Sequence, residues 1–116
     1  MFEYLKKGDV ITAPIAFSDL VGSKIRPMLV LHHDQDYQEL TVVYISSVIP
    51  PHPSTYDILI PLGSPSGIKA GLRENSVIIA RRITVIKRIH VRRKIGEADD
   101  DLRARINNVV PICLAI

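Results

Sequence analysis

Apolar positions along this chain recur mostly with a period of two and in short runs, the mark of strands rather than helices. Six stretches read as β: residues 9–13, 27–32, 40–48, 56–61, 76–80 and a last one within 81–94. Val42, Val43, Tyr44 and Ile45 form an almost unbroken apolar run, which predicts a central strand covered on both faces. In 81–94 and just beyond, Ile83, Val85, Ile89, Val91 and Ile95 take the odd positions; Arg82, Thr84, Arg88, His90, Arg92 and Lys94 take the even ones. One face should therefore enter a core while the other presents cations. Lys87 and Arg93 fall on the apolar side and Ile86 on the polar side, so a turn or bulge is expected near residues 86–88.

Punctuation between these runs is plain. Residues 19–24 form a turn-rich loop that ends in Lys24, Ile25 and Arg26 before Pro27; Pro50, Pro51 and Pro53 interrupt the middle; residues 63–71 read as a Gly/Ser/Pro loop. The only helix expected follows Gly96, where Asp99, Asp100 and Asp101 offer an N-cap and set negative charge against the helix dipole. Leu102, Ile106, Val109 and Val110 then repeat at helical spacing, and Pro111 should end or kink the helix. Residues 112–116 would remain as an apolar tail, covered by its own barrel or by a subunit or partner. The pattern predicts a mostly β fold, a small antiparallel sheet or barrel with a C-terminal helix.

A chain of 116 residues, 47% hydrophobic and 23% charged, suits one compact domain over residues 1–116. Cys113 is the lone cysteine, which excludes an intramolecular disulfide and a paired-cysteine zinc site and suits a reducing cytoplasm. Glu3 and Asp9 interrupt the opening segment, so it lacks the apolar core of a signal peptide, and no apolar run approaches the roughly 20 residues of a membrane span. The net charge of +3 understates the local field: residues 81–94 hold seven of the fifteen Lys and Arg and no carboxylate. Such a run is either a solvated face or a footprint for a polyanion. Its clustering on one side without counter-charges favours nucleic-acid backbone.

Candidate chemistry is sparse. His32 and His33 are adjacent and point to opposite faces of a strand, and no ligand spacing for a metal appears. Neither a nucleophile elbow nor a phosphate-binding glycine loop is present, so no cofactor is expected. Arg26, fixed beside Pro27, and the hydroxyl pair Ser46 and Ser47 at a strand end remain. An arginine there can donate two hydrogen bonds to a phosphate and stabilise the pentavalent state formed when a ribose 2′-hydroxyl attacks. Equally, it can be an ordinary surface arginine, and strand-end serines often satisfy backbone groups.

The order of segments resembles the MazF/PemK family of toxin endoribonucleases from bacterial toxin–antitoxin systems. Lys7, Gly8, Asp9, Val10 and Ile11 resemble its opening strand. GSKIRPMLV over residues 22–30 resembles its Gly-Ser loop, Arg-Pro step and following strand; YISS (44–47), GLRENSVI (71–78) and RKIGEADDDL (93–102) follow in order. The resemblance implies an SH3-like barrel and metal-independent cleavage of single-stranded mRNA, giving 2′,3′-cyclic phosphate and 5′-hydroxyl ends. It further implies a homodimer and inhibition by a cognate acidic antitoxin. Arg26 matches the family's Arg-Pro arginine, and Ser46 a catalytic threonine. Ser23, Lys24, Ser47, Arg82, Thr84, Arg88, His90 and Arg92 are the expected RNA contacts. In PemK-type members an arginine and an aspartate follow Ser-Val, whereas Ile78 and Ala80 stand here, so that aspartate base has no counterpart and any base role would fall to Arg26, a histidine or the substrate itself. A non-catalytic RNA-binding or gyrase-directed protein on the same fold is the alternative.

Overall fold

The computed structural model describes residues 4–16, 23–114 and 116. Residues 19–22 of the expected loop before Arg26 lie outside them. Six strands form one antiparallel sheet: β1 (Asp9–Ala16), β2 (Ser23–Asp34), β3 (Glu39–Ser46), β4 (Asp57–Ile60), β5 (Ser76–Lys87) and β6 (Arg93–Glu97), in the order β4-β5-β3-β2-β1-β6. Helix α1 (Pro65–Ala70) lies between β4 and β5, and α2 (Asp100–Leu114) ends the chain. This is the mostly β architecture expected, a curled half-barrel with a C-terminal helix.

Strand β3 is central, paired with β2 on one side and β5 on the other. Its Val43 and Ile45 join Val10, Leu29 and Ile78 in one apolar cluster, and its Leu40 and Val42 join Ile11, Met28 and Val30 in another. Alternation thus sends successive side chains into two cores, which is why this run is apolar without interruption. Helix α2 covers the first cluster with Leu102 and Ile106, which are buried, and with Val109 and Val110.

Three sequence expectations change. The basic stretch is not one alternating face. Strand β5 runs from Ser76 to Lys87, Arg88–His90 form a 3-10 turn, and only then does β6 begin. That turn is the break expected near residues 86–88, and on it Arg88 is buried while Ile89 is exposed; Val85, ahead of it on β5, is exposed as well. The segment 63–71, read as a loop, carries α1. Ser64 Oγ accepts the Gly67 N–H (3.1 Å), Pro65 fills the first turn, where a missing N–H costs nothing, and Gly71 closes the helix at φ +75°. Pro111 does not end α2. It lies in the last turn, where it removes a single backbone hydrogen bond, and the helix continues to Leu114.

Curling brings the two sheet edges together through α1. A Cβ on Gly71 would sit 2.1 Å from the Ile95 carbonyl oxygen, and one on Gly96 would sit 2.4 Å from the Lys69 oxygen. Helix α1, which follows edge strand β4, therefore meets edge strand β6 backbone to backbone, and only glycine allows that approach. A second device bends the sheet: Val43 pairs with Ile83 and Ile45 with Ile78, so Tyr44 alone faces residues 79–82 of β5. The bulge divides β5: residues 76–79 pair with β4, Val77 and Ile78 among them pairing with β3 as well, and residues 83–87 pair with β3.

Candidate functional site

Where α1, β6 and the rims of β1, β2 and β3 converge, an open groove of about 880 Å³ crosses the surface. Its apolar floor includes Ile45, Pro27, Leu72 and Ile95, and its charged lining is Arg26, Arg73, Glu74, Arg93 and Lys94. Thr12, Ser47 and Ser76 add hydroxyls. Arg26 is on β2 opposite Ala13 and is exposed; Arg93 is on β6 opposite Thr12; Arg73 and Glu74 ride the turn after Gly71. That turn is tied down at the end that leads into β5. The Ser76 hydroxyl donates to the Glu74 carbonyl (2.9 Å), and Asn75 Oδ1 accepts the Leu62 N–H (2.7 Å).

Charge in the groove is uneven. Lys94 is neutralised by buried Asp9 (3.2 Å) and by Glu97 (3.7 Å), and Glu97 also meets Lys69 (3.5 Å). Hydrogen bonding and attraction from Lys69, assisted by Lys94 and Lys6, hold the Glu97 carboxyl below the usual carboxylate range. Arg81 similarly meets Asp57 at 3.8 Å. Counter-charges missing from 81–94 in sequence thus arrive from other elements, correcting the picture of an uncompensated basic face. The guanidiniums of Arg26, Arg73 and Arg93 remain as the cationic lining, with Glu74 the single acid among the described lining residues. Planar fork-like donors around a slot with an apolar floor suit a phosphodiester whose bases lie against apolar surface.

The expected site residues divide. Arg26 and Ser47 line the groove. Ser46 does not: its hydroxyl accepts the Val48 N–H at 3.0 Å, fixing the strand end that carries Ser47. Ser23 opens β2 with its backbone paired to Ala16, and Lys24 is exposed beside it. His90 and Arg92 lie together against Pro14 and Ile89 in a shallow pocket of about 340 Å³. Arg82 is exposed in the bulge opposite Tyr44, and Thr84 pairs with Val42 along β5.

Arg88 is the clear correction. It is only 8% exposed, and burial pulls its guanidinium below the ordinary arginine value. Ile78 and Ala80, at the positions of the PemK-type arginine and aspartate, are sealed in the core at 0% exposure. Sequence reasoning passed over Arg73, Glu74 and Arg93. The first two are adjacent charges on a turn bounded by Gly71 and Ser76. Arg93 falls out of phase in the alternating pattern, and it lines the groove because the 3-10 turn separates β6 from β5. Among the described residues no cluster of three His, Cys, Asp or Glu could hold a metal ion, and no helix is long and apolar enough to cross a membrane.

No curated protein matches this sequence. The fold, however, has many solved counterparts. An endoribonuclease in complex with its cognate antitoxin, from a mycobacterial species, superposes with a TM-score of 0.74 at 11% identity over 97% of each chain. The MazE-MazF structure from Deinococcus radiodurans gives 0.73 at 15% identity, again over 97% of each chain. A Mycobacterium tuberculosis toxin, MazF-mt6, gives 0.67 at 15% identity over 91% of this chain and 97% of that one. Identities this low establish a shared fold. Residues 6–114 match the family described as PemK-like, MazF-like toxin of type II toxin-antitoxin system, and with nearly the whole length inside that match the chain belongs to this family.

Proposed function

We propose that this protein is the toxin of a type II toxin–antitoxin pair and acts as a metal-independent endoribonuclease on single-stranded mRNA in the cytoplasm. The observation that carries the reading is the groove: Arg26, the family's Arg-Pro arginine, stands in it beside Arg73, Arg93 and Ser47 over an apolar floor. Family membership supplies the class of protein; the groove supplies a place for the chemistry.

In this reading the 2′-hydroxyl attacks the adjacent phosphorus, the bond to the 5′-oxygen breaks, and the ends are a 2′,3′-cyclic phosphate and a 5′-hydroxyl. Arg26 donates to the non-bridging oxygens, whose charge grows as the pentavalent state forms. Ser47 contacts the phosphate. Ser46, whose hydroxyl oxygen receives the Val48 N–H, acts through Ser47 by fixing the strand end that carries it. A single domain over residues 1–116 assembles as a homodimer. An acidic antitoxin segment competes for the same cations that draw in RNA.

The test is incubation of the purified chain with a long single-stranded RNA in EDTA, beside Arg26→Ala, with the new ends characterised. Cyclic-phosphate ends from the parent and a loss of about 10²–10³-fold in the variant are expected. An undiminished variant would remove Arg26 from the mechanism. RNA bound but never cut would favour the non-catalytic binding protein, a reading to which sealed Ile78 and Ala80 lend weight. Neither binding nor cleavage would redirect attention to a protein target such as gyrase.

A further inference from the structure

We infer that Glu74 is the general base of the cleavage, the group that takes the proton from the attacking 2′-hydroxyl; this rests on the endoribonuclease reading above. Attack by a ribose hydroxyl needs a proton acceptor within hydrogen-bond reach. The charged groups that face the groove are Arg26 from β2, Arg93 and Lys94 from β6, and Arg73 and Glu74 from the turn after α1. Guanidinium and ammonium groups donate only, so four of these five cannot accept. No histidine is among the described lining residues: His32 and His33 line a separate pocket with Tyr4 and Lys6, His90 lies against Pro14, and His52 is exposed on the connection between β3 and β4, outside the lining. The strand position used by the PemK-type aspartate holds Ala80, at 0% exposure. Elimination leaves one carboxylate.

Placement supports it independently. The Glu74 backbone is held by the Ser76 hydroxyl at its carbonyl, and the next residue by the Asn75–Leu62 hydrogen bond. Upstream, Gly71 is pressed against β6. The turn therefore presents an acid from a fixed backbone, while the carboxylate carries no hydrogen bond or ion pair to another described residue. Surrounding cations keep the groove attractive to a polyanion in spite of it. The step balances as follows. The 2′-oxygen gives its proton to Glu74 and bonds to phosphorus; the bond to the 5′-oxygen breaks; that oxygen takes a proton from solvent, and Glu74 returns its own to solvent.

Full-length Glu74→Gln and Glu74→Asp variants, compared with the parent for RNA cleavage, RNA binding and the pH dependence of the rate, test the assignment. Glu74→Gln should lower cleavage by about 10²–10⁴-fold. It should bind RNA at least as tightly and lose the fall in rate that the parent shows towards acid pH. Glu74→Asp, which keeps the carboxylate on a shorter stem, should retain part of the rate and the acid limb, and serves as the reporter if glutamine disturbs the turn. A glutamine variant that cuts at the parent rate, keeps the acid limb, or loses binding in step with cleavage overturns the base assignment while the nuclease reading stands. A parent chain that does not cut RNA overturns both.

Discussion

Gly71 carries two constraints that no other residue type meets. Its φ of +75° is left-handed, and its α-carbon faces the Ile95 carbonyl so closely that a methyl group would overlap it. Gly71→Ala combines a strained backbone with overpacking against another backbone, so a loss of about 3 kcal/mol is expected in urea unfolding. Parent-like stability would mean that β6 can move away. Single residues were also where the sequence was hardest to read. Arg26 stood out because Pro27 fixes its strand. Arg88 looked like its neighbours: the phase breaks at Ile86 and Lys87 mark a turn, but not that Arg88 is the residue it turns inward. The Ser46–Ser47 pair was legible as hydroxyls at a strand end, but which of them faces the groove depends on the pairing of β3 with β5.

Helix α2 shows how one capping residue joins two elements. Asp99 Oδ1 accepts the Leu102 N–H (2.9 Å), and both carboxylate oxygens accept from the Ser66 hydroxyl of α1 (2.8 and 2.9 Å). The Leu102 N–H and then the Ser66 hydroxyl, aided by Arg105 and Lys69, outweigh partial burial and hold the Asp99 carboxyl below the usual carboxylate range. Because the folded value lies below the unfolded one, this stabilisation is complete above the unfolded value and fades as pH falls through the folded one. Asp99→Ala should cost about 1–2 kcal/mol near neutral pH and make unfolding less sensitive to acid. Melting curves at neutral and acid pH check this; equal acid sensitivity in the variant would place the titrating group elsewhere. Strand and helix order was readable because apolar period and aspartate caps are local. Helix α1 carries local signals of its own, Ser64-Pro65 at its start and Gly71 at its end, but Pro65 and the glycines at 63, 67 and 71 fit a loop equally well. The four-against-one bulge depends on contacts far apart in sequence and left no local trace.

At the scale of the whole molecule, a net charge of +3 matters less than where unpaired cations gather. If RNA lies in the groove, Arg73→Ala and Arg93→Ala should each lower the slope of log affinity against log salt by about 0.7, one released counterion per lost phosphate contact. Arg82→Ala and Arg92→Ala, outside the groove, should leave that slope nearly unchanged in titrations across salt concentrations. Equal losses at all four positions would extend the RNA path over the 3-10 turn. The seam between α1 and β6 bears on how such a protein can change its preference over generations. With backbone against backbone at Gly71 and Gly96 there is no intervening layer of side chains to enlarge or trim, so the slot has a set width. If the groove holds RNA, descendants of this sequence can acquire new targets by exchanging the residues that project from its walls, whereas altering its gauge would require both glycines to be replaced and α1 to be reset against β6 at once.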